Sequence, residues 1–322
     1  MDKGKILELC MDVRYNRSSV EDQTVTQRKE ELCALIGELM KNYDKNKYEI
    51  NELIKENVNE VLKVKVNGAL DIIADIAYIS HGATKKWNIR NGKITISYEA
   101  LGSEILRQKI YKSSITANPK AVGAAIYVEW DDLLSGRIAE SFAEMVDEIA
   151  DAILEEVMVQ IQTAFVTAIA SAPSVNKYAG VFALAQLRGV CQTVAAYGAP
   201  VIIGTATALA NITSDDGFKA VMSDNLKDEL NQTGYIGKWE GRPLVILPNN
   251  FTTDKNTAWT LSNDYIYIIP VNTDKPVKVC FEGGAEILER QSYETGQIEK
   301  KTLQKFSVNV LQYHNLGLVT IS

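Results

Sequence analysis

The sequence predicts an α+β fold organised around one very long helix and an extended two-stranded arm. Three observations carry this reading. From 131 to 169 the chain holds an apolar stripe at helical spacing with no proline. From 87 to 98, apolar and polar side chains alternate at a period of two, the mark of a half-buried strand. Beyond Pro173 short strand and helix patterns alternate, as expected of a compact α+β domain.

The N-terminal part reads as helical. Leu32, Leu35, Ile36 and Leu39 fall at i, i+3, i+4 and i+7, an amphipathic stripe. A second helix is predicted over 48–66, with Ile50, Leu53, Ile54, Val58, Val61 and Leu62 on its apolar side. Asn67-Gly68 should break it, and 69–79 should resume as helix. The arm follows: Trp87, Ile89, Ile94, Ile96 and Tyr98 alternate around Asn91-Gly92, a pair suited to a type I′ turn. Residues 109–116 read as a polar strand. With few consecutive apolar residues, this arm needs a second surface. A small-residue strand is predicted over 119–130. Asp131 or Asp132 then caps the long helix, which spans about 55–60 Å at 1.5 Å per residue. Its stripe includes Ile149, Ile153, Val157, Ile161 and Phe165. Later helices are expected at 183–197, 205–212 and 214–232, and strands at 200–204, 244–247, 264–271, 277–281 and 307–313.

Composition narrows the function. The 322 residues are 46% apolar and 23% charged, ordinary for a folded chain. The net charge of −7 argues against a dedicated nucleic-acid binder, whose footprint is basic. Cys10, Cys33, Cys191 and Cys280 show no paired spacing and read as reduced thiols. No uncharged apolar run approaches membrane-spanning length, about 20 residues, and the N-terminus has no signal-peptide core. Charge is unevenly distributed: 84–118 carries seven basic residues against two acidic, whereas 129–170 carries one basic residue against ten acidic.

Candidate chemistry is sparse. Glu140, Glu144, Asp147, Glu148, Asp151 and Glu155 share helical spacing, but a di-metal carboxylate bundle needs Glu-x-x-His pairs, and no histidine lies between His81 and His314. The acidic face therefore reads as solvated or partner-facing, with no metal. Gly198 and Gly204 flank a strand but match no phosphate-binding pattern. His81 and His314 read as structural hydrogen-bonders, and no nucleophile–base motif is present. The expectation is a protein with no catalytic residues, no cofactor and no metal. Charge points instead to assembly. A basic arm and an acidic helix in one chain are complementary, and arm-to-neighbour contacts repeated head to tail close into rings. The arm residues Arg90, Lys93, Arg107, Lys109 and Lys112 are expected to meet Glu140, Glu144, Asp147 and Asp151 of an adjacent subunit, the alternative being that the two charge excesses neutralise each other within one monomer.

The order of these segments resembles one family, the tailed-phage major capsid proteins with the Hong Kong 97-like fold. Leu101-Gly-Ser-Glu-Ile resembles that family's arm tip, with Leu101 replacing its acidic residue. Residues 118–128 (NPKAVGAAIYV) resemble the strand after the arm, and Asp131-Asp-Leu-Leu-Ser the start of the spine helix. Residues 235–247 (YIGKWEGRPLVIL) resemble a strand of the late domain, and 261–270 (LSNDYIYIIP) the strand that follows it. The resemblance covers roughly 70–322. It implies an N-terminal helical arm or short built-in scaffold over 1–83, an E-loop over 84–118, and a peripheral domain with the spine helix over 119–174. Late strands at about 300–322 would join the peripheral domain, and an axial domain would occupy 175–300. It further implies homo-hexamers and homo-pentamers forming an icosahedral head around double-stranded DNA, with a portal protein and scaffold or decoration proteins as partners. The head would assemble in the bacterial host cytoplasm, with no membrane partner. An encapsulin-type compartment is the same-fold alternative. A soluble α/β enzyme using the 198–213 turn region is the other.

Overall fold

In a computed structural model of the chain, the described residues are 31, 35, 39, 43–90, 107, 110–129, 138–215, 218, 237–252, 255–271, 274–291 and 297–321. In chain order the elements are α1 (Tyr43–Leu70), β1 (Ala74–Ile79), β2 (Lys86–Arg90), β3 (Tyr111–Thr116), β4 (Lys120–Glu129), α2 (Ile138–Ala170) and β5 (Lys177–Gly180). Then come α3 (Leu184–Ala195), β6 (Ala199–Thr205), α4 (Ala206–Ser214), β7 (Lys238–Trp239) and β8 (Arg242–Leu247). The chain closes with β9 (Tyr265–Val271), β10 (Val277–Gln291), β11 (Gln297–Val310) and β12 (Gly317–Ile321).

The long helix is present as α2, 33 residues and about 50 Å. It buries Val146, Ile149, Ile153, Val157, Ile161, Phe165 and Ile169 along one side. Facing it, α1 buries Ile50, Leu53, Ile54, Val58, Val61, Leu62, Val66 and Leu70, and both stripes belong to one continuous core. The expected break at Asn67-Gly68 does not occur. A glycine inside a helix costs only about 1 kcal/mol relative to alanine, and the buried Val66 and Leu70 on either side hold the last turns in place. Nor does helix resume after it. Residues 74–79 form β1, which pairs in parallel with β10 from Ala74↔Val277 to Ile79↔Glu282, a partner about 200 residues away.

Two sheets flank the helices. The four-stranded sheet has the order β1-β10-β11-β4, and the six-stranded sheet β5-β12-β9-β6-β8-β7. The six-stranded sheet is buried on both faces, which explains why its central strands read as unbroken apolar runs. Val201, Ile203, Tyr267, Ile269 and Leu318 face the α2 side. Their alternates Ile202, Ile266, Ile268 and Val319 face α3 and α4, meeting Leu187, Val190, Cys191, Leu209 and Ile212. Gly317 is required by this second layer: a Cβ there would lie 2.5 Å from Val190 Cγ1. Thr205 starts α4, its hydroxyl accepting from the Ala208 backbone N–H at 3.3 Å.

The allotment of late strands differs from the sequence expectation. β10, expected as a short strand of the later domain, runs 15 residues and sits between β1 and β11. β12, expected beside the spine helix, pairs with β5 and β9 in the six-stranded sheet. Tyr313, expected to end a strand, opens the 3-10 turn Tyr313–Asn315. Phe165 is 1% exposed and meets the Tyr267 ring edge-on at 4.9 Å, where α2 touches the six-stranded sheet. Phe165→Ala is expected to cost about 3–5 kcal/mol, read as a lowered midpoint in urea unfolding of the dissociated subunit.

Candidate functional site

The arm is anchored by its own small core. β2 and β3 pair antiparallel from Lys86↔Thr116 to Arg90↔Tyr111, with an irregularity at Ile89/Arg90. On one face of this ribbon Trp87, 7% exposed, packs with Ala117, Cys280 and Leu311, bordered by Ala77, Ile79, Ile89 and Ile115. The second surface the arm needs is thus supplied at its base by β1, β10 and the segment after β11. Next to that base, Glu282 accepts from the Gly82 N–H at 2.8 Å and lies 3.7 Å from His81 Nδ1. His81 is therefore a structural neighbour of the arm's base. His314 sits between the rings of Tyr197 and Tyr313, and its carbonyl accepts from Asn176 Nδ2 at 2.8 Å.

The residues predicted to join subunits fall unequally. Arg90 lies in β2 and Lys112 in β3, with their side chains outside the described residues. Lys93 and Lys109 lie wholly outside them. Arg107 is exposed. Glu140, Glu144 and Asp147 lie in α2, again with undescribed side chains. Asp151 is exposed but meets a cation of its own chain: Lys65 Nζ, on α1, is 2.6 Å from its Oδ1. One turn on, Glu155 accepts from Asn250 Nδ2 at 2.6 Å. Sequence spacing could not reveal either partner, because the docking of α1 and of the 248–262 loop onto α2 is a tertiary event. These groups line a cleft of about 350 Å³ with Val64, Met158 and Leu261.

A larger groove, about 580 Å³, runs between α2, β4 and β11. Gln160, Thr163, Ala164, Thr167 and Ala168 form one wall, and Lys120, Ser307 and Asn309 lie on the other. Ser307 Oγ and Asn309 Nδ2 are buried without a hydrogen-bond partner among the described residues, where an unmet polar group costs about 1–3 kcal/mol. The sequence signal that could have located this wall is the run of small residues in the last third of α2. That same stretch, Glu148–Ala170, is the one described helix long and apolar enough to cross a membrane by length and composition. Here it is packed along Ile149, Ile153, Val157, Ile161, Phe165 and Ile169.

In the late domain, β7 and β8 are joined by Glu240-Gly241, both with positive φ, at 48° and 77°, the geometry of a two-residue I′ hairpin. Glutamate at such a position is held by its charge: Arg188 Nε donates to Glu240 at 3.0 Å and Arg242 Nη1 at 2.8 Å. The Arg242 guanidinium in turn stacks 5.4 Å over Trp239. The two described thiols, Cys191 and Cys280, are buried. Burial pushes Cys191 up to about 11 and raises Cys280, leaving both as unreactive thiols. Among the described residues no three His, Cys, Asp or Glu side chains are placed to hold a metal ion.

Residues 5–320 match the family described as "SPbeta prophage-derived putative capsid protein YonB", and the chain belongs to that family. The SPbeta prophage-derived uncharacterized protein YonB of Bacillus subtilis (strain 168) is 27% identical over 285 residues, covering 84% of this chain and 83% of its own length. Among solved structures, the capsid of an empty GTA particle superposes with a TM-score of 0.53 at 11% identity, over 80% of this chain and 90% of its own. A structure from Mycobacterium phage Adephagia gives 0.51 at 14% identity, over 77% and 88%. The mature capsid of bacteriophage PhiM1 gives 0.51 at 12%, over 77% and 86%. The fold is the Hong Kong 97-like capsid fold, and the protein is a structural capsid component with its place in the virion shell.

The bonds from Arg188, and then from Arg242, hold the Glu240 carboxyl below its usual range. Its contribution to stability is therefore in place above the ordinary glutamate value of about 4.3 and is lost as pH falls through the lower folded value. Glu240→Gln should flatten that acid limb of the stability–pH curve, measured by urea unfolding across the acidic range.

Proposed function

We propose that this capsid protein assembles through hexamers and pentamers into the icosahedral head of a tailed phage, enclosing double-stranded DNA. The observation that carries the reading is the family match along almost the whole chain, joined to an arm, a spine helix and two sheets in the order such a shell requires. A portal protein at one vertex and scaffold or decoration proteins are the partners this reading implies. Assembly would take place in the host cytoplasm. Expression of the chain alone, followed by light scattering and negative-stain imaging, tests it. Shells or capsomer rings are expected. A discrete small species that binds a metabolite saturably would overturn the reading. Shells filled with a partner enzyme instead of DNA would place the protein among compartments.

The basic arm is proposed to lie on an acidic surface of the adjacent subunit, Arg90, Lys93, Arg107, Lys109 and Lys112 facing Glu140, Glu144, Asp147 and Asp151. Because Lys65 already meets Asp151, the N-terminal end of the acidic face would carry most of that attraction. Such pairing steers association and register more than it adds affinity. Reversing Arg107 and Lys109 together to Glu should slow or abolish shell formation at moderate salt while far-UV circular dichroism of the subunit stays unchanged. Normal shells from that variant would sink the electrostatic contact.

The burial of α1 also bears on the N-terminus. Removing residues 1–70 as a scaffold would strip Ile50, Ile54, Val58, Val61 and Val66 from the core and expose the side of α2 they cover. Residues 43–70 are therefore proposed to stay in the mature subunit, with any processing confined upstream of Tyr43. Intact-mass analysis of purified particles should find a subunit that begins before that residue.

A further inference from the structure

One cleft, away from the arm, has the composition of a small-molecule site. It lies where α1, α2 and the loop around 248–261 meet and holds about 350 Å³. That places it at the compact end of ligand-binding cavities, which run from about 300 to 1,000 Å³. Its floor is apolar, made by Val64, Leu154, Met158 and Leu261. α1 contributes space as well as surface, because a Cβ on Gly68 would find no atom within 4 Å. Behind Met158 and Leu261 lies a second space of about 20 Å³, lined also by Phe165 and Tyr267. Methionine is unbranched and adapts its shape, so a shift of Met158 into that space deepens the cleft.

The polar groups above this floor do not balance. Lys65 Nζ sits 2.6 Å from Asp151 Oδ1, so that carboxylate has its counter-charge. Glu155 is half-buried and accepts from the neutral Asn250 amide at 2.6 Å. Among the described residues no cation meets it. Thr260, whose backbone N–H donates to the Asn250 carbonyl at 2.9 Å, carries a buried hydroxyl with no hydrogen-bond partner among the described residues. A carboxylate and a hydroxyl both accept hydrogen bonds, and an ammonium brings three donors and a positive charge. We propose that this cleft binds a compact apolar molecule carrying one primary ammonium. The cation lies against Glu155 and Thr260, and the apolar body rests on Leu154, Met158 and Leu261. Bound there, the molecule joins the late loop to both helices and stabilises the folded subunit by mass action.

Ligand-observed NMR and isothermal titration of the purified full-length chain with phenethylamine test this. Hydrocinnamate, with the same ring and a carboxylate in place of the ammonium, and ethylamine, with the ammonium and no ring, are the controls. Saturable phenethylamine binding at millimolar concentration or below is expected, with a raised thermal-unfolding midpoint, and neither control should bind over the same range. Glu155→Gln keeps an acceptor for the Asn250 amide and removes the charge. It should weaken phenethylamine binding about tenfold or more, the worth of a hydrogen bond to a charged group. Gly68→Leu fills the cleft from α1 with a better helix former and should abolish binding while the circular dichroism spectrum stays native. If Gly68→Leu does not fold, Glu155→Gln alone decides. No saturable binding of phenethylamine would overturn the proposal. So would equal binding of either control, or unchanged affinity in Glu155→Gln. Shell formation, which none of these measurements reads, decides the capsid reading separately.

Discussion

A helix of about 50 Å whose buried side runs from Val146 to Ile169 is too long for one sheet to cover. A strand of ordinary length reaches only about 17–20 Å, and the two sheets lie against different parts of α2. Towards the C-terminal end, Ile161 and Phe165 sit against Ile203, Leu247, Tyr267 and Ile269 of the six-stranded sheet. The middle is covered by α1 and by the four-stranded sheet, and all of these elements share one core. The uninterrupted stripe on α2 is therefore what makes the two sheets into one subunit. It also explains why α1 cannot be an optional appendage: without it, apolar surface on both α2 and β10 would face water.

Apolar burial is not directional, so it does not fix where along the sheet α1 sits. Polar side chains do. Asn59 Oδ1 accepts from the Ala285 N–H at 2.6 Å, just where β10 shifts register between Glu282 and Glu286. Gly283 adopts a φ of +64° there, and a Cβ on Gly284 would lie 2.6 Å from Asn59 Nδ2. Asn51, eight residues earlier and on the same face of α1, reaches Glu289 and Lys300 farther along the sheet. Two asparagines about two helical turns apart thus read out two points of the β10–β11 ladder and set the register. At the other end of β10, Lys278 is held between Asp75 at 3.0 Å and Asp274 at 2.6 Å. This pins the parallel partner β1, whose turn is further held by Lys275 against Asp71.

What could be read in the sequence follows from how local each signal is. The stripe of α2, the alternation of β2 and the apolar runs of β6 and β9 depend on neighbours a few residues away, and all four elements are found. β1 reads ambiguously because Ala74, Ile76, Tyr78 and Ile79 suit either period, and only its pairing to β10 decides. Gly68 misleads because its penalty is small beside the burial around it. The extent of β10 was hidden by Gly283-Gly284, which mark a bulge within the strand, not its end. For the candidate site, charge clustering picks out 84–118 and 129–170, the segments in which β2, β3 and α2 lie. It could not show that Lys65 and Asn250 come back to Asp151 and Glu155, nor that a groove lies beside β11.

These internal pairings change how a shell built from this subunit would be held together. Exposed ion pairs contribute about 0–1 kcal/mol each, and part of the acidic face is already partnered within the chain. On the proposed reading, the arm's positive charge then sets approach and register, while adhesion must come from burial. Among the described residues, the groove along Gln160, Thr163, Ala164, Thr167 and Ala168 presents small side chains that allow close approach. A subunit made this way keeps its apolar stripe on α2 satisfied when alone. That core lets it remain folded before any shell closes.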